Sequence, residues 1–268
     1  MRNIEKKIFI LVFCLIYNIC NAQTHSLDLW YTQPAKTWEA TLPLGNGRLG
    51  MTPDGGVEKE NIVLNDITLW SGSVQDANNY EANKYLPQIR ALLFEGKNEE
   101  AQQLVNEHFI CLGPVSGGAQ WGCFQMLGNL ALNFSYNGTS NDKTRYKNYT
   151  RRLSLDSAIA TSTYEVNGVT YKKEYFTSFG TDVDIIRVTA DKPHQINCSV
   201  SISRPERVAV SASNNVLQMQ GQLDNGTDGK GMKYLAKVKA IAKDGIQQTE
   251  GNNLVIKNAS ELIIYISE

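Results

Sequence analysis

The sequence predicts an all-β-dominated fold: a large two-layer antiparallel sandwich with one inserted helical hairpin. Three observations carry that prediction. Short stretches rich in Val, Ile, Leu, Thr and Tyr recur along most of the chain, separated by turns that carry glycine or asparagine. Between about residues 80 and 109 the apolar spacing changes from the period of a strand to that of a helix. The later strands follow one another without the alternating helices that a parallel sheet requires.

The first segment speaks about compartment. Arg2, Lys6 and Lys7 precede an apolar run from Ile8 to Ile19, and Cys20-Asn21-Ala22 supplies small side chains at a cleavage point after Ala22. That is the layout of a cleavable signal peptide over residues 1–22, and it predicts export to the periplasm or the extracellular medium. The run is too short to cross about 30 Å of hydrocarbon. Neither Cys14 nor Cys20 follows the small residues that lipoprotein processing requires. Later apolar stretches are too short as well, so no membrane span is expected after cleavage. Residues 23–268 remain, enough for one large domain.

From Leu27 to Leu69 the chain reads as strands punctuated by Gly45-Asn46-Gly47 and Gly55-Gly56, glycine clusters that favour hairpins. Ala82, Tyr85, Leu86, Ile89, Leu92 and Leu93 then recur at helical spacing up to a stop at Gly96. Ala101, Leu104, Val105 and Phe109 begin a second stripe, and both stripes are expected to pack onto the sandwich. His108 falls at the end of the second helix, where the dipole favours a cation. A glycine-rich loop from Gly113 to Gly122 leads into further strands. The sharpest local signal is Tyr164-Glu165-Val166-Asn167-Gly168-Val169-Thr170-Tyr171. Asn-Gly suits a type I′ turn, which places Val166 opposite Val169 and Tyr164 opposite Tyr171. More strands are expected at residues 130–134, 149–155, 183–189, 196–203, 216–220, 233–242, 254–256 and 262–267. The final strand runs almost to Glu268, which reads as an interrupted chain rather than a tapered terminus.

Charge and motif content exclude several classes. The 26 basic and 27 acidic residues nearly cancel, and no Lys/Arg stripe recurs along a helix. Nucleic acid is therefore not expected as a partner. Cys111, Cys123 and Cys198 have no zinc spacing. A Cys111–Cys123 disulfide and free thiols both remain open. His25, His108 and His194 form no ligand pair, and no phosphate loop, dinucleotide fingerprint or serine nucleophile elbow occurs. No metal and no cofactor are expected. Glycoside hydrolysis by inversion needs two carboxyl groups roughly 6.5–9.5 Å apart. Candidates by type are Glu39, Asp54, Glu58, Glu60, Asp66 and Glu107. Glu58 and Glu60 share one side of a strand-like run and read as a solvated face with Lys59 between them. Burial is the expected state for most of Trp30, Trp38, Trp70 and Trp121.

A series of ordered segments resembles the N-terminal domain of glycoside hydrolase family 95, the α-L-fucosidases. It runs Leu29-Trp30-Tyr31, Pro34-Ala35, Trp38-Glu39, then Leu42-Pro43-Leu44-Gly45-Asn46-Gly47-Arg48-Leu49-Gly50. Gly55-Gly56-Val57-Glu58-Lys59-Glu60, Leu64-Asn65-Asp66 and Leu69-Trp70-Ser71-Gly72 follow. Tyr85-Leu86-Pro87, Leu92 to Lys97, Leu127-Gly128-Asn129-Leu130 and Tyr171 to Phe176 extend the match through most of the chain. The resemblance implies a two-layer antiparallel super-sandwich that precedes a catalytic (α/α)6 barrel. It also implies an inverting reaction on terminal α-linked L-fucose of glycans, without a metal. The family's acid and base belong to the barrel, which is absent from this chain, so no catalytic residue is carried over.

The sequence therefore reads as a non-catalytic N-terminal domain whose partner is such a barrel, normally in the same chain. Fucosylated glycans would be engaged through that barrel. Asn46, Asn65, Trp70 and Trp121 are the residues expected to face the barrel or its sugar, because they sit polar or aromatic at loop mouths. Two rival readings are a free-standing carbohydrate-binding sandwich module and a structural domain that dimerises through its helical hairpin.

Overall fold

The computed structural model describes residues 27–73, 78–111, 122–136 and 145–268; the leader at 1–22 and Trp121 lie outside the described residues. Two antiparallel sheets make up the fold. The nine-stranded sheet runs β1 (Asp28–Tyr31), β6 (Tyr146–Ser154), β7 (Ile159–Val166), β8 (Val169–Ser178), β9 (Val183–Ala190), β16 (Glu261–Ser267), β13 (Lys233–Lys243), β12 (Val216–Gln222), β11 (Val208–Ser213). The seven-stranded sheet runs β14 (Ile246–Glu250), β15 (Asn253–Ala259), β10 (Ile196–Ser203), β5 (Gly128–Phe134), β4 (Lys59–Asp66), β3 (Leu49–Pro53), β2 (Leu44–Gly45).

Alternation builds the layer between them. Leu262, Ile264 and Ile266 of β16 are buried, as are Leu130, Leu132 and Phe134 of β5 and Val200 and Ile202 of β10, all in one contiguous core. Each such aliphatic side chain contributes roughly 1.5–3 kcal/mol by leaving water. The Asn167-Gly168 turn has φ of 52° and 70°, and Val166 faces Val169 while Tyr164 faces Tyr171, as the sequence predicts. Strands absent from the sequence reading, β11 and β14, each end a sheet. β11 alternates in burial but with small side chains, and β14 holds a single apolar residue, Ile246, which is exposed.

One ion pair lies inside the core and corrects the reading of Glu58 and Glu60. Glu58 is exposed, but Glu60 is 1% exposed and meets the fully buried Lys173 of β8 at 2.7 Å across the two sheets. Such a pair holds only when every remaining site is satisfied. Here Tyr175 donates to Glu60 Oε1 at 2.6 Å, Gly55 N–H donates to the same oxygen, and Lys173 donates to the Gly56 carbonyl at 2.6 Å. The Phe134 ring lies under the ammonium at 4.2 Å. Gly55 is required where it stands: its φ is +72°, and a Cβ there would meet Tyr149 Oη at 2.5 Å. Tyr149, Tyr164 and Tyr171 stack beside this pair with Tyr136 edge-on to Tyr164, and burial raises the hydroxyl pKa values of all four, that of Tyr171 to about 12.

The helical hairpin forms where expected, as α1 (Leu86–Phe94) and α2 (Asn98–His108) after a 3-10 turn at Ala82–Tyr85. Gly96, at φ +77°, ends α1, and Lys97 N–H returns to the Leu92 carbonyl at 2.9 Å. Its packing differs from expectation. The helices pack on each other, Ile89 and Ala101 are their buried residues, and neither belongs to the sandwich core. Phe94 is 90% exposed. The stripes are too short to serve both the partner helix and a sheet. His108 stacks on Tyr85 with centroids 3.5 Å apart.

Candidate functional site

The sequence-predicted residues that are described converge on one end of the sandwich. The turn between β2 and β3 is closed by Asn46, whose Oδ1 accepts the N–H of Arg48 at 2.9 Å and of Leu49 at 2.8 Å. Its amide reaches the other sheet, donating to Asp182 Oδ1 at 2.7 Å and to the Ser178 carbonyl at 3.0 Å. With both ends of its amide engaged, Asn46 is a fastener between layers rather than a free sugar contact. Arg48, next along the turn, contacts Asp182 at 3.2 Å, Asp66 at 3.5 Å and the Glu268 carbonyl at 3.3 Å. Asp66 Oδ1 also accepts the Thr68 hydroxyl and N–H at 2.6 and 2.8 Å.

Burial sets the electrostatics of this cluster. Asp184, fully buried, accepts the Thr177 hydroxyl at 2.5 Å, and desolvation pushes its carboxyl up to about 6. Glu268 is raised further, to about 9, by burial first and then by the charges of Asp184 and Asp66. A raised carboxyl is what general acid catalysis requires. Asp184 has no exposed surface, however, so no glycosidic oxygen reaches it. Through Asn46 and Arg48 the arrangement ties the two sheets together and collects charge.

Around the cluster stand exposed apolar side chains. Trp70 is 52% exposed, donates its indole N–H to the Ile67 carbonyl at 3.0 Å, and packs edge-on to Phe124 at 6.1 Å. Ile67 in turn donates its N–H to the Arg48 carbonyl at 3.0 Å, which couples the rim to the charged turn. Asn65 lies opposite Gly50 on β4 and is half-buried. Trp30 and Trp38 are 68% and 59% exposed, so the expectation that most of the tryptophans are buried fails for all three that are described. Each sits on an edge strand or a short turn, where no second layer covers it.

The other carboxylates named by type do not join this end. Glu39 is exposed, and hydrogen bonds from its own backbone and from Thr37 lower its pKa. Asp54 lies with Trp38, Thr52 and Asn61 around a cavity of about 170 Å³. Burial and then the Glu60 charge push its carboxyl to about 6, while its oxygens accept the N–H groups of Gly56 and Asn61. Cys111, Cys123 and Cys198 are free thiols, and the buried Cys198 is raised to about 12 by desolvation. Among the described residues, no group of three His, Cys, Asp or Glu side chains is placed to hold a metal.

Comparison with known proteins shows the family. The family model for the glycosyl hydrolase family 65 N-terminal domain matches residues 29–268. The chain belongs to that family. Relatives of this glycosyl hydrolase N-terminal domain include "Alpha-L-fucosidase 2" of Arabidopsis thaliana, 26% identical over 265 residues, covering 90% of this chain and 30% of the relative. "Probable alpha-fucosidase A" of Aspergillus niger is 28% identical over 174 residues, covering 61% of this chain and 20% of the relative. The family number differs from the one the resemblance suggested, while the relatives are α-fucosidases in keeping with it. The chain spans less than a third of the length of these relatives.

Arg48 and Asp66 stand within the segments that carried the resemblance, yet nothing singled them out as a pair. Asp182 had no signal at all, because the turn that brings it to Arg48 closes across two sheets and over 130 residues of sequence.

Proposed function

We propose that this chain is the non-catalytic N-terminal domain of an exported, inverting α-L-fucosidase-like glycoside hydrolase of family 95. In this reading it scaffolds an (α/α)6 barrel that removes terminal α-linked L-fucose from glycans. The observation that carries the reading is the alignment with "Alpha-L-fucosidase 2", which uses 90% of this chain but 30% of the relative, leaving most of that protein for other machinery. The end built on Arg48 supports it as the barrel-facing surface. There a charged cluster is rimmed by the exposed Ile67, Trp70 and Phe124, the mixture typical of an interface between domains of one chain. Export rests on the leader at 1–22 and the substrate on the relatives' names.

The test begins with the reading frame beyond the codon for Glu268. A longer product containing a barrel should release L-fucose from 2′-fucosyllactose, and proton NMR should detect the β-anomer first. The α-anomer first would refute inversion, and no fucose release would refute the substrate assignment.

A further inference from the structure

The outer face of the nine-stranded sheet carries a feature that the fucosidase reading does not use. Strand β13 alternates strictly: Tyr234, Ala236, Val238 and Ala240 are buried, while Lys233, Leu235, Lys237, Lys239 and Lys243 are exposed. Its four lysines therefore project from one face along about 33 Å of strand. None of them forms an ion pair among the described residues. Strands β11, β12 and β13 together contain these lysines and no Asp or Glu. Lysines often guard a sheet edge against aggregation. That explanation fails here, because β13 is paired on both sides, by β12 and β16.

Neutral hydrogen-bonding groups flank the lysines in register. Gln222 lies opposite Lys233, Gln220 opposite Leu235 and Gln218 opposite Lys237, with Ser211 beyond Gln218. A groove of about 730 Å³ opens at the end of this face, bordered by Gln220, Gln222, Lys233, Leu235 and Arg207. Arg207 is engaged by Asp224 at 2.7 Å, whereas Lys233 and the other β13 lysines form no ion pair among the described residues. Amides and hydroxyls meet sugar hydroxyls, an apolar floor meets a pyranose face, and spaced point charges meet carboxylates.

We infer that the β11–β13 face binds an acidic polysaccharide, a chain of uronic acid residues lying along the lysine stripe with one end in the groove. The domain would then hold its enzyme against a carboxylated glycan matrix.

Affinity electrophoresis of the purified chain in gels containing polygalacturonate tests this, with dextran and double-stranded DNA at equal ionic strength as companion gels. Retardation is expected in polygalacturonate alone, weakening steeply with added salt as counterions are released. K237Q/K239Q should reduce the apparent affinity by tenfold or more, and K237R/K239R should retain it. The charge-matched control K84Q/K97Q, on the helical hairpin, should bind as the parent does, and thermal melts confirm that each variant folds. Absence of retardation, equal retardation by DNA, or binding that survives K237Q/K239Q would each overturn the inference.

Discussion

Asp184 shows how one residue can oppose the fold that buries it. Its Oδ1 accepts the Thr177 hydroxyl, while Oδ2 is buried without a hydrogen bond among the described residues. Desolvation raises its carboxyl from 3.8 to about 6. A raised folded pKa means the native state holds more protons than the unfolded chain between those values. The contribution is therefore favourable in acid and lost as pH rises from about 4 to about 6. The gap corresponds to on the order of 3 kcal/mol. Asp184→Asn keeps an acceptor for Thr177 and removes the charge. Urea unfolding should find it more stable than the parent at pH 8 by on the order of 1–3 kcal/mol, with the difference vanishing near pH 4. A variant less stable at both pH values would contradict this account. Glu60 poses the same problem with a different solution, since Lys173 and Tyr175 neutralise and saturate it. Neither outcome was legible in the sequence. Glu58 and Glu60 are the same residue type two positions apart, and only the partner strand decides that one is exposed and the other buried against Lys173.

Elements were more legible than residues. The Asn167-Gly168 hairpin, the helical pair and most central strands announce themselves through local chemistry: a left-handed turn, a helical period, alternating branched side chains. The strands that escaped, β11 and β14, lie at sheet edges: β11 alternates, but with small side chains, and the one apolar residue of β14, Ile246, is exposed. The hairpin was placed correctly and its docking was not. Its helices satisfy each other through Ile89 and Ala101, leaving Phe94 in solvent. A prediction follows at this scale. Replacing residues 78–111 by a short Gly-Ser linker should leave a cooperative sandwich whose Tm moves by less than about 4 °C, the shift of roughly 1 kcal/mol in a domain this size. Loss of the cooperative calorimetric transition would show that the hairpin is part of the core after all.

At the scale of the whole molecule, construction and chemistry separate. The two sheets share one core and are clamped by a buried Glu60–Lys173 pair at mid-layer and by Asn46 and Arg48 at one end. That end was partly legible. Asn46, Asn65 and Trp70 do gather near it, because β2, β3 and β4 are sequential hairpin neighbours. The carboxylates that complete it arrive from the other sheet, Asp182 in the turn between β8 and β9, Asp184 on β9 and Glu268 just after β16, a long-range closure that no local pattern encodes. Asp182 links the layers through Asn46 and Arg48, while Asp184 is fully buried. The central proposal is that this domain supports catalysis in a longer protein without performing it. An assay of the purified chain alone, against an aryl α-L-fucoside, tests that claim most directly. No turnover above a mock purification is predicted; sustained release of the aryl group that co-elutes with the folded chain would contradict it.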